Sequence, residues 1–367
     1  MVPLRTRTDD NQRVLLRAPS YSQDDSLTSK SKASTAARKP WADEPWPLIE
    51  TPSKTQQITH PALHIANEIA HTHNAMLRGL NAIFLQAPHV RQPADVADLM
   101  FLTQAWSAWL LDHHELKETA MLPGFEGVLG LEPGALGGAR NDDDDDDERR
   151  RRSRRKEGNS VGGNEDAGAP EGERDHAQQE QQQPIGTLLQ HVYAYATATQ
   201  ADPPSYAPSA LRSLLARLAS PLVPHLTRQV SFFSRELVLL CSSSTSSSSS
   251  SSSPYTPSTS ATSPYISAHA HATAAAASAD VRANALLRVY LGCAARASDA
   301  LDRPVAAPMI VGLRDATFEA GRGRDWPRLS VPAVHAIADR LAPRHAGAWR
   351  FLPCDVWGRP RELGFLG

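Results

Sequence analysis

Between Leu99 and Phe125, apolar or ligand-capable side chains recur at steps of three or four residues. The series consists of Leu99, Leu102, Trp106, Leu110, His114, Glu118, Met121 and Phe125. Steps of this size follow the turn of an α-helix, so these side chains lie on one helical face. The pattern predicts one amphipathic helix from about Pro93 to Leu122, ended by Pro123 and Gly124.

His114 and Glu118 stand one turn apart on this face. A buried carboxylate needs a compensating partner, and a metal ion shared with the histidine is a partner that helical bundles use. The alternative is that the buried stripe ends near Leu110 and that the pair lies at a solvent-exposed helix end. For an isolated pair the solvent-exposed helix end is the more frequent case, so the choice between the two depends on whether other helices also carry inward ligands.

Three further amphipathic helices are predicted, from about Pro61 to Gln86, from about Pro184 to Thr199 and from about Pro208 to Leu240. In the first of these, His73 falls inside the apolar stripe and His71 lies on the opposite side. In the last, His225 continues a seam of leucines, and Pro221 and Pro224 predict a kink just before it. Inward histidines on three separate helices favour metal binding over independent core histidines.

The segments around these histidines resemble the hemerythrin-like (HHE cation-binding) proteins, in particular a fungal branch. The resemblance is carried by THNAMLRGLNAIFLQAP, HHELKETAMLPGFE, PLVPHLTRQVSFF and HAGAWRFLPCDVWGRPRELGF. It implies an all-α, up-and-down four-helix bundle around one or two non-heme irons. The ligands that it implies in this chain are His73, His114, Glu118 and His225. Members of the family bind dioxygen, sense oxygen or redox state, or handle iron.

Two departures from the family pattern concern the ligands. Gln229 stands where a carboxylate is expected one turn after His225, and a neutral amide is a poor ligand for a cation. The family also has histidines leading into the third helix, where this chain offers His176, with His191 as an alternative off the helix seam. The remaining options are a single, weakly held metal or a scaffold without its metal.

Composition divides the chain into four parts. Residues 1–40 are predicted to be a disordered tail, and 41–240 a bundle that is interrupted by a disordered, charged loop at 131–183. A Ser/Ala-rich linker is expected at 241–280. Residues 281–367 are expected to pack on the bundle as a small helical and irregular segment, with a short strand within 305–319.

Charge and composition exclude several classes of function. A net charge of −2 gives no field that would favour nucleic acid, and no apolar run is long enough to cross a membrane. Three widely separated cysteines argue against a disulfide framework and favour a reducing compartment, which predicts a cytoplasmic protein. The basic run Arg149–Lys156 is the basis for a nuclear alternative.

The leading hypothesis from the sequence is a non-heme iron protein for dioxygen or redox sensing or for iron handling, with dioxygen, another diatomic molecule or peroxide as its small ligand. The alternative is a metal-free bundle that serves as a structural or interaction module with an unidentified protein partner. Enzymatic turnover of peroxide or nitric oxide at one iron comes third, because no separate base or nucleophile supports it.

Overall fold

The computed structural model describes residues 41–136, 183–242 and 264–366, of which 264–277 are described for their backbone alone. All of them belong to one compact unit, 39–367. Several predictions concern residues outside these ranges, namely the tail 1–40, most of the charged loop with Arg149–Lys156 and His176, and the serine tract at 243–263. In the described part, the only β-structure is an isolated bridge between Cys354 and Pro360.

Seven helices of six or more residues form the framework of the described part. They are α1 (Pro61–Gln86), α2 (Pro93–Leu116), α3 (Ile185–Ala201), α4 (Pro208–Ser231), α5 (Pro264–Ala300), α6 (Arg303–Gly312) and α7 (Val331–Ala336). Each of α2, α4 and α7 runs on into a π-helical turn: Lys117–Met121, Phe232–Glu236 and Ile337–Leu341. After their π turns, α2 and α4 continue as the α-helical extensions Leu122–Leu129 and Leu237–Ser242. The predicted all-α class is confirmed.

The helices pack around one continuous apolar core. Helix α1 contacts α2 and α4, while α3 contacts α2 and α4. Helix α5 lies against α1 and the extension of α2, and α6 lies against α2. The C-terminal segment is therefore a second layer over α1 and α2, and buried Trp349, Phe351 and Leu352 confirm that its irregular end is packed.

The predicted bounds of α1 are confirmed at both ends. The predicted end of the second helix at Pro123 and Gly124 is wrong, because the helix continues to Leu129 and ends at Gly130, whose φ of 68° is left-handed. Pro123 is tolerated there because it stands in the first turn of the extension, where a missing backbone N–H costs least.

Two expectations for the later helices also differ from the structure, and the kink just before His225 stays a prediction. The chain remains helical through Pro221 and Pro224, and the interruption of α4 comes after Ser231 as a π turn. Helix α5 already begins at Pro264, inside the range assigned to the linker. The short strand expected within 305–319 is replaced by α6 and a helical turn.

An extended segment, 41–51, lies along α1 and is held by two asparagines of that helix. Asn74 accepts a hydrogen bond from the backbone N–H of Ile49 at 2.7 Å and donates one to its carbonyl at 2.8 Å. Asn81 accepts from the N–H of Trp46 and donates to the carbonyls of Trp46 and Ala42. These side chains satisfy backbone groups of a partly buried segment that has no strand partner.

The expectation that His71 lies outside is wrong, since its side chain is only 5% exposed. Its ring stacks on Trp326 of the C-terminal segment with ring centroids 6.3 Å apart. The periodicity of α1 alone identifies one buried face, but the second layer buries the opposite face as well. Burial, followed by the charge of Arg78, lowers the pKa of His71 to about 4.

This buried histidine predicts a loss of stability in acid. Between about pH 6.5 and pH 4 the unfolded chain carries a proton on His71 that the folded chain lacks, so stability falls as the pH falls through this window. One such group contributes up to about 1.4 kcal/mol per pH unit. His71→Phe keeps a ring against Trp326, so its unfolding free energy, measured in urea at pH 6.5, 5.5 and 4.5, should fall less steeply than that of the wild type. Equal slopes would contradict the assignment.

Candidate functional site

The second helix turns Lys117 to the interior at the point where the π turn Lys117–Met121 begins. At about 100° per residue Lys117 lies within about 20° of Trp106, so the regular helix before the π turn already directs it inward. The side chain of Lys117 is only 3% exposed, whereas that of the neighbouring Glu118 is 35% exposed. At this level of the helix the buried side chain is therefore that of Lys117, whereas the apolar stripe predicts Glu118.

Lys117 bridges two helices. Its Nζ lies 3.0 Å from Nε2 of His225 on α4 and 2.9 Å from Oε1 of Glu118. A lysine ammonium can only donate, so Nε2 of His225 accepts and the ring proton is on Nδ1. The amide Nε2 of Gln229 lies 2.8 Å from the same ring nitrogen and also donates to it. Burial, followed by the charge of Lys117, lowers the pKa of His225 to about 3.

Three more imidazoles lie close to this contact. His73 is fully buried, and its Nδ1 donates to the carbonyl of Leu226 at 3.0 Å. Its Nε2 is buried without a hydrogen-bond partner among the described residues. The ring of His113 is 5.5 Å from that of His73, and the ring of His114 is 6.1 Å from that of His225, between centroids. We call His73, His113, His114, Lys117 and His225 the histidine–lysine cluster.

Burial keeps the cluster's imidazoles neutral. It is the largest cause that lowers the pKa of His73 well below its usual value and that of His113 to about 4. The pKa of His114 is lowered by burial and by Lys117, while Glu118 opposes that shift. Burial also lowers the pKa of Lys117, against the hydrogen bond that Lys117 donates to Glu118. The cluster therefore combines neutral rings with one lysine nitrogen that is held by a carboxylate.

The structure places His73, His114 and His225 in the histidine–lysine cluster and Glu118 beside Lys117, an arrangement that does not fit the iron site that the resemblance implies. His225 offers Nε2 to Lys117 and Gln229, and Glu118 pairs with Lys117. Among the described residues there is no group of three or more histidine, cysteine, aspartate or glutamate side chains placed to hold a metal ion. The alternative ligand His191 is exposed on α3.

A cavity of about 730 Å³ lies between α1 and α2 on one side and α5, α6 and the segment 326–341 on the other. Its walls are mainly apolar and include Ile69, Trp109, Met121, Ile310, Trp326 and Ile337. His113 and Lys117 also line it, so the cavity reaches the histidine–lysine cluster. The second layer forms the opposite wall of this cavity, and α1 and α2 alone would leave the space open to solvent.

A second polar group lies at the cavity wall formed by α1 and the C-terminal segment. Nη2 of Arg328 is 3.2 Å from Nε2 of His64 and 3.4 Å from Oε1 of Glu68. Tyr290 also lines the cavity, and burial, with the nearby charge of Glu68, raises the pKa of its hydroxyl. Polar groups at two places and apolar walls between them can orient a ligand that is itself mainly apolar.

Sequence reasoning missed the central residue and the cavity. The predicted stripe between Leu99 and Phe125 includes neither His113 nor Lys117. The available signal is the spacing of HHELK, in which Lys117 is one helical turn after His113 and lies on the same side as that ring. The cavity had no local signal because its two sides are separated by more than 150 residues of sequence.

Comparison with known proteins gives one sequence relative. The chain is 23% identical over 331 residues to the "Dimeric xanthone biosynthesis cluster protein R11" of Cryptosporiopsis sp. (strain 8999), across 89% of this chain and 94% of the relative. No family model matches the chain, and no solved structure matches it. Within the described residues, no helix is both long and apolar enough to cross a bilayer.

Proposed function

We propose that this protein binds a small, mainly apolar, ring-containing molecule in the cavity between α1, α2 and the C-terminal segment. The observation that carries the proposal is the cavity itself, about 730 Å³ with apolar walls. Sites for small molecules are typically clefts of about 300–1,000 Å³ with apolar walls and a few placed polar groups. The relative named after a xanthone biosynthesis cluster supports an aromatic metabolite as the ligand class.

The side chains in the cavity suit such a ligand. Trp109 and Trp326 offer ring faces on which an aromatic system can pack. Arg328 and Tyr290 provide hydrogen-bond donors for the oxygen substituents of an aromatic metabolite, and Glu68 provides an acceptor for its hydroxyl groups. The ligand would therefore be fixed by stacking in the middle of the cavity and by hydrogen bonds at the Arg328 side.

A cavity-filling substitution tests this proposal. Ala297 of α5 lines the cavity, and Ala297→Phe would place a ring inside it. We expect N-phenyl-1-naphthylamine, a neutral aromatic dye, to become fluorescent with the wild type, and its affinity to fall at least about tenfold in the variant, the equivalent of roughly 1.4 kcal/mol. Dye titration at fixed protein concentration measures the change.

The matched control is Ala295→Phe, which adds the same ring to the exposed side of the same helix and does not touch the cavity. This variant should bind the dye like the wild type. Equal loss in both variants, or a wild type that binds no dye while its circular dichroism shows a folded protein, would contradict the proposal.

The resemblance supports a second candidate, a hemerythrin-like four-helix bundle that binds non-heme iron in the cytoplasm or nucleus, with dioxygen as its ligand. The specific observation in its favour is the buried Nε2 of His73, which has no partner in the described part of the chain. Opposing it, Lys117 and Gln229 donate to the ring nitrogen that His225 would need for iron. This candidate requires Lys117 to leave its position, so it ranks second.

A further inference from the structure

We propose that the Lys117 side chain is the resident cation at the centre of the helices, in place of a metal ion, and that removing it converts the histidine–lysine cluster into a divalent-metal site. This inference does not depend on what binds in the cavity. The clustering of His73, His113, His114 and His225 suggests a metal ion. We assign the position among them to the Lys117 side chain instead.

The first argument is the number of lone pairs. A neutral imidazole has a single acceptor nitrogen with one lone pair in the plane of the ring. For His225 that lone pair is on Nε2, which is approached by Nζ of Lys117 at 3.0 Å and by the amide of Gln229 at 2.8 Å. A metal ion would have to stand about 2.1 Å from the same nitrogen, so it cannot bind His225 while Lys117 remains.

The second argument is charge. Lys117 is buried at 3% exposure, so its charge is poorly screened by water. Its Nζ lies 3.0 Å from Nε2 of His225, so this charge stands at the position that a metal ion bound to His225 would approach. A divalent ion brought into this cluster would meet a like charge at close range. Glu118 pairs with Lys117, so its carboxylate is not free to offset the charge of a metal ion.

The third argument is what remains without the lysine. Nε2 of His73 is already buried and unpaired in the described structure, and Nε2 of His225 would keep only the amide of Gln229, which can turn its oxygen in place of its NH2. His113 lies 5.5 Å from His73 and His114 lies 6.1 Å from His225, between ring centroids, so four imidazoles on three helices stand in two pairs. Imidazole nitrogen suits zinc, cobalt, nickel and iron, and a carboxylate at position 117 would supply an anionic ligand among the rings.

The test compares metal binding by the full-length wild type and by Lys117→Glu. Each is titrated with Co²⁺, whose visible absorption reports its ligands. We expect the wild type to show no cobalt absorption band from the cluster. The variant should bind one Co²⁺ per chain, roughly 100-fold or more tightly than the wild type. In the wild type, the like charge of Lys117 and the loss of His225 as a ligand both lower the affinity for the metal ion.

Two controls separate this site from the other histidines of the chain. Lys54→Glu makes the same charge change at an exposed lysine and should bind cobalt like the wild type. Adding His225→Gln to Lys117→Glu should abolish the gained band. A wild type that binds one Co²⁺ through His225, or a folded Lys117→Glu chain without any gain, would overturn the proposal.

A measurement on the wild type alone does not depend on whether the variant folds. Its thermal midpoint is measured with and without Co²⁺, Zn²⁺ and, anaerobically, Fe²⁺, because a ligand that binds only the folded state raises that midpoint. We expect no shift. A rise that disappears in His225→Gln would show metal binding at the cluster, overturn the proposal and favour the iron-binding candidate.

Discussion

Replacing Trp106 by alanine is expected to lower the free energy of unfolding by about 3–5 kcal/mol, the range typical of large-to-small changes in a core. Trp106 lies on α2 and is fully buried against α1. Its indole N–H donates to the carbonyl of Met76 at 3.0 Å, so the substitution leaves both a cavity and an unpaired buried carbonyl. Gly79 permits this contact, because a Cβ there would overlap the indole ring.

Urea unfolding followed by circular dichroism measures this loss. Trp357→Ala is the matched control, since Trp357 is 37% exposed and its removal should cost much less. The control also removes one tryptophan, so any effect of that residue type on the optical signal is shared. A loss below about 1 kcal/mol for Trp106→Ala, within the range of ordinary surface substitutions, would mean that α1 and α2 do not meet through this side chain.

The parts of the fold that the sequence predicts are those governed by local periodicity. The stripe of α1 is buried as expected, and the helix has the predicted bounds. The leucine seam of α4 is buried through Leu222, after which Leu226 and Val230 are the buried positions and His225 is half-buried. These elements were predictable because one apolar face with a period of about 3.6 residues determines both where a helix runs and how it packs.

The orientation of the side chains at the site was less predictable. His114 and Glu118 follow the apolar stripe at steps of four residues, and each such step advances about 40° around a helix of about 100° per residue. After four of these steps Glu118 is about 160° from Leu102 and partly exposed, whereas Lys117 lies nearly in line with Trp106 and is buried. The equal steps hide this rotation, so the prediction gave Glu118 the inward position and overlooked Lys117.

The second layer was the other source of error. It buries His71 through Trp326 and closes the cavity with residues from α5, α6 and segment 326–341. Contacts such as that between Glu68 and Arg328 join residues 260 positions apart (68 to 328), which no local pattern records. The sequence indicated that the C-terminal segment packs on the other helices, but the face that it covers is decided by tertiary contacts.

Substituting Asn74 by alanine is expected to destabilise the protein by about 2–6 kcal/mol, because it leaves two backbone groups without partners at roughly 1–3 kcal/mol each. Asn74 is fully buried, and its amide pairs with both the N–H and the carbonyl of Ile49. Segment 41–51 has these side-chain contacts instead of a neighbouring strand. The two hydrogen bonds of Asn74 therefore contribute a large part of the free energy that holds the segment on α1.

The effect should also be local. Thr51, at the end of the same segment, donates its backbone N–H to Glu319 of the C-terminal segment at 3.1 Å, so the segment joins α1 to the layer that covers the cavity. Limited proteolysis of Asn74→Ala should therefore cut first within 41–51, under conditions in which the wild type is intact. Asn284→Ala, at an exposed position of α5, should match the wild type in both stability and cleavage. An Asn74→Ala protein as stable and as resistant as this control would show that segment 41–51 is held by its apolar contacts alone, with Ile49 buried in the core and Trp46 against Phe84.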